Sequence, residues 1–212
     1  TWNGTTYITG GTLNLSGNFA AGGAFQAGYS SSNSVLNITG NLTQSYTAGS
    51  VRSFQIAAGA GQVGSVNVSG SGILTLGAGM MLGDNGGGNG TMNVSGGTVT
   101  PNGGVWFAGV NSTLNVSGGT FNAGSNTIYI GGGGVSNSAS TSTLTVNGTG
   151  LFTAGNFDFG RGSANATTIV NLGDGTVGGN LSITGMTYVN GSSHTINFNG
   201  GTLTANGTFS MI

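Results

Sequence analysis

The chain has 212 residues, 47 of them glycine, and only 2% are charged: Arg52, Arg161, Asp84, Asp158 and Asp174, with one histidine, His194, and no cysteine. Two distant arginines cannot neutralise the several phosphates on which nucleic-acid affinity rests, so no nucleic-acid partner is expected. The lack of cysteine excludes a disulfide framework, and apolar runs of a few residues fall far short of the roughly 20 that cross a bilayer, so no membrane span is expected either.

Hydrophobic residues still make 36% of the chain and sit in short alternating runs, the pattern of half-buried strands and not of a disordered polar chain. The first such run is TTYITGGTL from Thr5. It recurs as VLNITGNL from Val35, SVNVSGSGIL from Ser65, TMNVSGGTV from Thr91, TLNVSGGTF from Thr113, TLTVNGTGLF from Thr143, IVNLGDGTV from Ile169 and TINFNGGTL from Thr195. Successive starts lie 30, 30, 26, 22, 30, 26 and 26 residues apart, a period suited to one coil of a parallel β-helix with loops of varying length.

A second short strand follows the glycines of each copy, as at 98–100, 120–122 and 202–204. A third is expected at 25–27, 54–56, 80–82, 105–107, 128–130, 157–159, 181–183 and 209–211, each apolar at both flanking positions. Side chains alternate along a strand, so the flanking residues point inward and the central one outward. The prediction is an all-β, right-handed parallel β-helix (β-solenoid) of about eight three-stranded coils, a single domain over 1–212. Coils about 4.8 Å apart give a rod of roughly 40 Å whose apolar columns form one shared core. Glycine serves the tight corners between strands.

The run Ser/Thr-Leu/Val-Asn-Val-Ser-Gly-Gly-Thr-Val/Phe and the opening Thr1-Trp2-Asn3-Gly4 resemble the β-helical passenger repeats of bacterial autotransporters and related surface proteins. The resemblance covers nearly the whole chain. It implies export by a bacterium, an extracellular or cell-surface location, and an adhesive, scaffold or filament role, and it carries over no catalytic residue.

The residues themselves offer little chemistry. Glycoside hydrolysis needs two carboxylates roughly 5–10 Å apart. Asp84, Asp158 and Asp174 fall in the third, sixth and seventh copies, with Asp158 outward on a third strand and Asp174 in a turn after a first strand, on different sides. Asp158 with Arg161 reads as a surface ion pair of small worth, and His194 as an exposed or loop histidine. The stretch 83–90 around Asp84 lacks the repeated aspartates of a calcium cage. No catalytic, cofactor-binding or metal residue is assigned, and no enzyme is expected.

Three surface features stand out. Asn37, Asn67, Asn93, Asn115, Asn171 and Asn197 share one repeat position and should form an outward ladder whose amides hydrogen-bond along the stack; fourteen Asn-X-Ser/Thr triplets leave glycosylation open. Met81, Trp106 and Tyr129 should stand one above another as an outward column, either a contact for a sugar ring or neighbouring subunit or a patch covered by a loop. Neither end shows a charged or helical cap, so Trp2, Tyr7 and Ile8 at one end and Phe209, Met211 and Ile212 at the other are candidate subunit contacts. The expected function is an extracellular structural subunit that stacks on other copies of itself, end to end, into a surface filament or matrix fibre. The alternative is an adhesin or a carbohydrate- or ice-binding module excised from a longer surface protein.

Overall fold

The computed structural model describes residues 2–30, 33–47, 53–84, 87–131, 139–160, 165–188, 192–207 and 209. Strands are numbered β1 to β22 in chain order and fall on three faces. The first face is an eight-stranded sheet of β2 (Gly11–Leu15), β5 (Ser34–Ile38), β8 (Val63–Val68), β11 (Asn89–Val94), β14 (Asn111–Val116), β17 (Ser140–Val146), β19 (Ala166–Leu172) and β21 (Ser193–Phe198). The second carries β3 (Asn18–Ala21), β6 (Asn41–Gln44), β9 (Ile73–Leu76), β12 (Thr98–Pro101), β15 (Thr120–Asn122), the first halves of β18 (Leu151–Phe159) and β20 (Asn180–Tyr188), and β22 (Thr202–Ala205). The third carries β1 (Thr6–Ile8), β4 (Phe25–Ala27), β7 (Phe54–Ile56), β10 (Met80–Leu82), β13 (Val105–Phe107), β16 (Ile128–Ile130) and the second halves of β18 and β20. Because β18 and β20 run across two faces, those faces join into one 14-stranded sheet. Every rung pairs in parallel with the one below, which makes a right-handed parallel β-helix of eight first-face rungs and about seven turns.

Period-2 alternation builds the core. The inward columns of the first face, Leu36-Val66-Met92-Leu114-Leu144-Val170 and Ile38-Val68-Val94-Val116-Val146-Leu172, follow the strand register and are fully buried. Each such side chain contributes about 1.5–3 kcal/mol relative to exposure. Aromatic rings stack along the axis as well: Phe25 on Phe54 at 5.5 Å and Phe121 on Phe152 at 4.9 Å. At the corner where the third face meets the first, the inward column reads Gly11, Ser34, Gly64, Gly90, Ser112, Ser142, Thr168, His194. Only small or hydrogen-bonding residues fit most of this column. The Ser34 and Ser112 hydroxyls donate to the Ile8 and Leu82 carbonyls at 2.8 and 2.7 Å, whereas a Cβ at Gly64 would stand 2.4 Å from the Ala27 carbonyl oxygen.

Two expectations are corrected. Seven of the eight repeat starts keep their register, but the first does not: Thr12 pairs with Val35 and Leu15 with Ile38, so the first copy is TLNLSGN from Thr12. The run from Thr5 belongs to the third face, where Tyr7 pairs with Gln26. Both runs alternate and both precede glycines, so alternation alone could not separate them. Residues 181–183, expected on the third face, lie on the second, opposite Phe152 and Ala154; the third-face stretch of that coil is 186–188. The cause is a shorter corner, through which the strand continues unbroken.

Trp2 bridges Ala21 beneath the second face, and Phe209 bridges Met186 above the third.

Candidate functional site

The asparagine ladder forms. Asn37 donates its Nδ2 to Asn14 Oδ1 at 2.7 Å, Asn67 to Asn37 at 2.8 Å, Asn93 to Asn67 at 2.8 Å, and Asn115 to Asn93 at 2.9 Å. Thr145 interrupts the column, which resumes with Asn197 donating to Asn171 at 2.8 Å. Asn14 is a member that sequence reasoning missed, because the first repeat was set from Thr5. Its neighbours Thr12, Leu13 and Leu15 against Val35, Leu36 and Ile38 were the available signal. All five bonds point the same way, each amide NH2 giving a proton to the rung below, so the ladder has a direction. Parallel shorter ladders add Asn41 to Asn18 at 2.7 Å and Asn111 to Asn89 at 3.1 Å.

The outward column of the third face runs Tyr7, Gln26, Gln55, Met81, Trp106, Tyr129, Asp158, Thr187. Met81, Trp106 and Tyr129 are thus vertical neighbours as expected, but they are not an exposed column. Met81 is only 3% exposed and its sulfur lies 3.8 Å from the Gln55 amide nitrogen, which also donates to Asp84 at 3.4 Å. Trp106 and Tyr129 are half-buried and stack at 4.1 Å, so much of each ring face is spent on the other. The exposed aromatic pair is elsewhere: Tyr7 and Tyr29, each 48% exposed, have ring centroids 4.3 Å apart.

At the lower end Trp2 is half-buried, edge-on to Phe19 at 6.2 Å, with its indole N–H donating to the Thr6 hydroxyl. Tyr7 is exposed, but Ile8 points inward and is buried, so it offers a backbone edge and no side chain to a partner. At the upper end Phe209 is half-buried; Met211 and Ile212 lie outside the described residues. The side chains that open the core are ones the sequence reading did not single out. Phe198 occupies the column of Val146 and Leu172, both fully buried, yet is itself 58% exposed. Ile196 and Leu203 beside it, and Leu13 and Phe19 at the other end, are only partly buried.

The ionisable residues stay scattered. Asp158 lies on the third face and Asp174 in the turn after β19, on different sides as expected. Asp174 is held down to about 2, first by a hydrogen bond from the Thr176 hydroxyl (2.7 Å), then by the amides of Val177 (2.8 Å) and Thr176 (2.9 Å). Arg161, its expected ion pair with Asp158, and part of the 83–90 stretch lie outside the described residues. His194 is not in a loop: it sits within β21 on the inward side, half-buried, its Nε2 2.9 Å from Ser192 Oγ and its ring against Phe159 and Tyr188. Among the described residues no three His, Cys, Asp or Glu side chains gather to hold a metal, and no helix is long and apolar enough to cross a membrane.

No family model, curated protein or solved structure matches this chain.

Proposed function

We propose that this chain is an extracellular, non-enzymatic structural protein, a rod-building β-solenoid unit that stacks head to tail on other copies of itself into a surface filament or matrix fibre. The observation that carries the reading is the stacking itself: eight first-face rungs in parallel register, tied by five asparagine hydrogen bonds that all run one way. Phe198, in the outermost described first-face rung, is 58% exposed where its column mates one and two rungs below are fully buried, and β2 and β21 each have one first-face neighbour among the described residues. Such edges pair readily with another strand, and a head-to-tail contact that does not close on itself grows into a fibre. Electron microscopy of the purified chain over a concentration series, with size-exclusion chromatography alongside, tests it. Uniform filaments whose subunit repeat matches the rod length support the proposal; a monomer at every concentration overturns it.

A second reading, an adhesive module for a neutral carbohydrate, draws on one observation. The outward residues of the first face are Thr, Ser and Asn with scattered Val and Ile, uncharged and in unbroken parallel register over eight rungs. Saturable retention on a neutral polysaccharide matrix, insensitive to salt, would favour it.

A further inference from the structure

Two of the five tyrosines meet at the corner where the third face turns into the first. Tyr7 stands outward in the middle of β1, opposite Gln26 of β4, and Tyr29 follows the end of β4 by two residues. Gly28 sets the turn between them. Its φ is +81°, and a Cβ there would stand 2.9 Å from the Val63 carbonyl oxygen, so the turn needs glycine. The amides of Gly28 and Tyr29 both donate to the Ile8 carbonyl, at 3.1 and 3.3 Å, and the Ser30 hydroxyl donates to the Thr9 carbonyl. From the next coil Gln62 donates its Nε2 to the Tyr29 carbonyl at 2.6 Å. The backbone on both sides of the pair is therefore tied down, and the two exposed rings lie 4.3 Å apart, tilted by 46°.

Two phenols held in this way can do what a single exposed phenol cannot. A one-electron oxidant removes an electron and the phenolic proton from each ring. The two tyrosyl radicals then join through the ring carbons ortho to their oxygens, and each ortho proton moves to its oxygen to restore the aromatic phenol. Two electrons and two protons leave in all; hydrogen peroxide, acting through a peroxidase, accepts them and becomes two waters. Because the rings are neighbours before the reaction, coupling is unimolecular and its orientation is largely set in advance. Tyr188 is the contrast: it is as exposed, at 47%, but the ring beside it is the imidazole of His194, 4.8 Å away.

We propose that Tyr7 and Tyr29 form an oxidative cross-linking site, joined by a peroxidase-class oxidant into a dityrosine that ties the first coil covalently to the second. In a chain with no cysteine, such a bridge takes the place a disulfide would hold. Its use in nature rests on the extracellular reading; the reactivity of the pair does not, and neither depends on end stacking.

The purified chain, kept dilute, is treated with a peroxidase and hydrogen peroxide, and in parallel with a small ruthenium photo-oxidant and persulfate that reaches what the enzyme cannot. The monomer is isolated by size exclusion, its dityrosine fluorescence is read, and the bridge is located by proteolysis and mass spectrometry. A monomer lighter by two hydrogens is expected, with residues 7 and 29 in one cross-linked peptide and a yield per chain that does not change on dilution. Tyr7→Phe and Tyr29→Phe should each lower the monomer's dityrosine by about tenfold or more, since one ring alone has no phenol in reach, and Tyr188→Phe should leave it unchanged. Dityrosine confined to covalent dimers, or undiminished in the Tyr7→Phe monomer, overturns the site. So does its absence under both oxidants while free N-acetyltyrosine amide couples in the same mixture. A bridge in chains that form no filaments at any concentration supports the site and overturns end stacking alone.

Discussion

The lower coils and the upper two turn the same corner in different ways. From the last-but-one inward residue of the second face to the first inward residue of the third, the chain advances six residues in Leu74 to Met80 and Val99 to Val105, but five in Phe152 to Phe157 and Leu181 to Met186. With six residues the corner is a loop that separates two strands. With five there is no room for one, and the strand bends through the corner, still paired at Asn156 with Gly185. An odd separation breaks the alternation of faces, which is why Ala154 and Gly155 are buried side by side. A Cβ at Gly155 would lie 2.2 Å from the Ser125 carbonyl oxygen, so β18 needs glycine there because of the rung below it, whereas β20 makes the same bend with Thr184 at that level. A single residue at a corner therefore decides whether two faces are separate sheets or one.

The largest expected effect lies at this bend. Phe157 packs edge-on to Phe152 and Phe159 at 5.8 Å each, so Phe157→Ala should cost about 3–5 kcal/mol, whereas Ile128→Val one rung below in the same column should cost about 0.5–1.5 kcal/mol. Denaturant unfolding of both variants measures the difference, and equal losses would show that the bend is no tighter than the looped corner. Next, Gly155→Ala should destabilise by about 1–3 kcal/mol through backbone crowding, while Gly4→Ala, with nothing within 4 Å of the added Cβ, should stay within about 0.5 kcal/mol.

The ladder divides at nearly the same height. Asn93→Ala, inside the five-membered run, should cost about 1 kcal/mol, and Thr145→Asn, which would join the two runs, should gain about 0.5–1 kcal/mol; thermal melts read both. The smallest effect is that of Asp174. Its pKa in the folded chain, about 2, lies below the ordinary aspartate value of 3.8, so the turn's contribution is present above about 3.8 and is lost as pH falls toward 2. The carboxyl carbon shift followed by NMR should titrate near 2; a midpoint near 3.8 would show that the Thr176 and Val177 bonds do not hold it in solution.

Most of the coil was legible because a solenoid writes each column as a repeated letter. Asn37, Asn67, Asn93 and Asn115 fall at one position of one motif, and position in the repeat is position in the stack. The third-face strands of the lower coils were legible for the same reason, since an apolar residue on either side of an outward one marks a strand buried on one face. The misses share a cause too. Tyr7-Ile8 and Leu13-Asn14-Leu15 alternate equally well, and Leu181-Ser182-Ile183 looks like any third strand. Their assignment depends on how many residues the preceding corner consumes, which is a matter of space and not of pattern. Met81 was read outward, which it is, but it is covered by Gln55 of the coil below, whose amide nitrogen reaches both the Met81 sulfur and Asp84.

Thus the sequence alone determined the class of fold, the period, the inward columns and the direction in which like residues stack, because alternation and repetition are local properties of the chain. The tertiary structure decided the register of the first coil, the merging of two faces at β18 and β20, the burial of Met81 and the exposure of Phe198. Each of these depends on what lies one rung above or below, a neighbour at least 19 residues away along the chain, and side-chain cover is set by that neighbour and not by the residue itself.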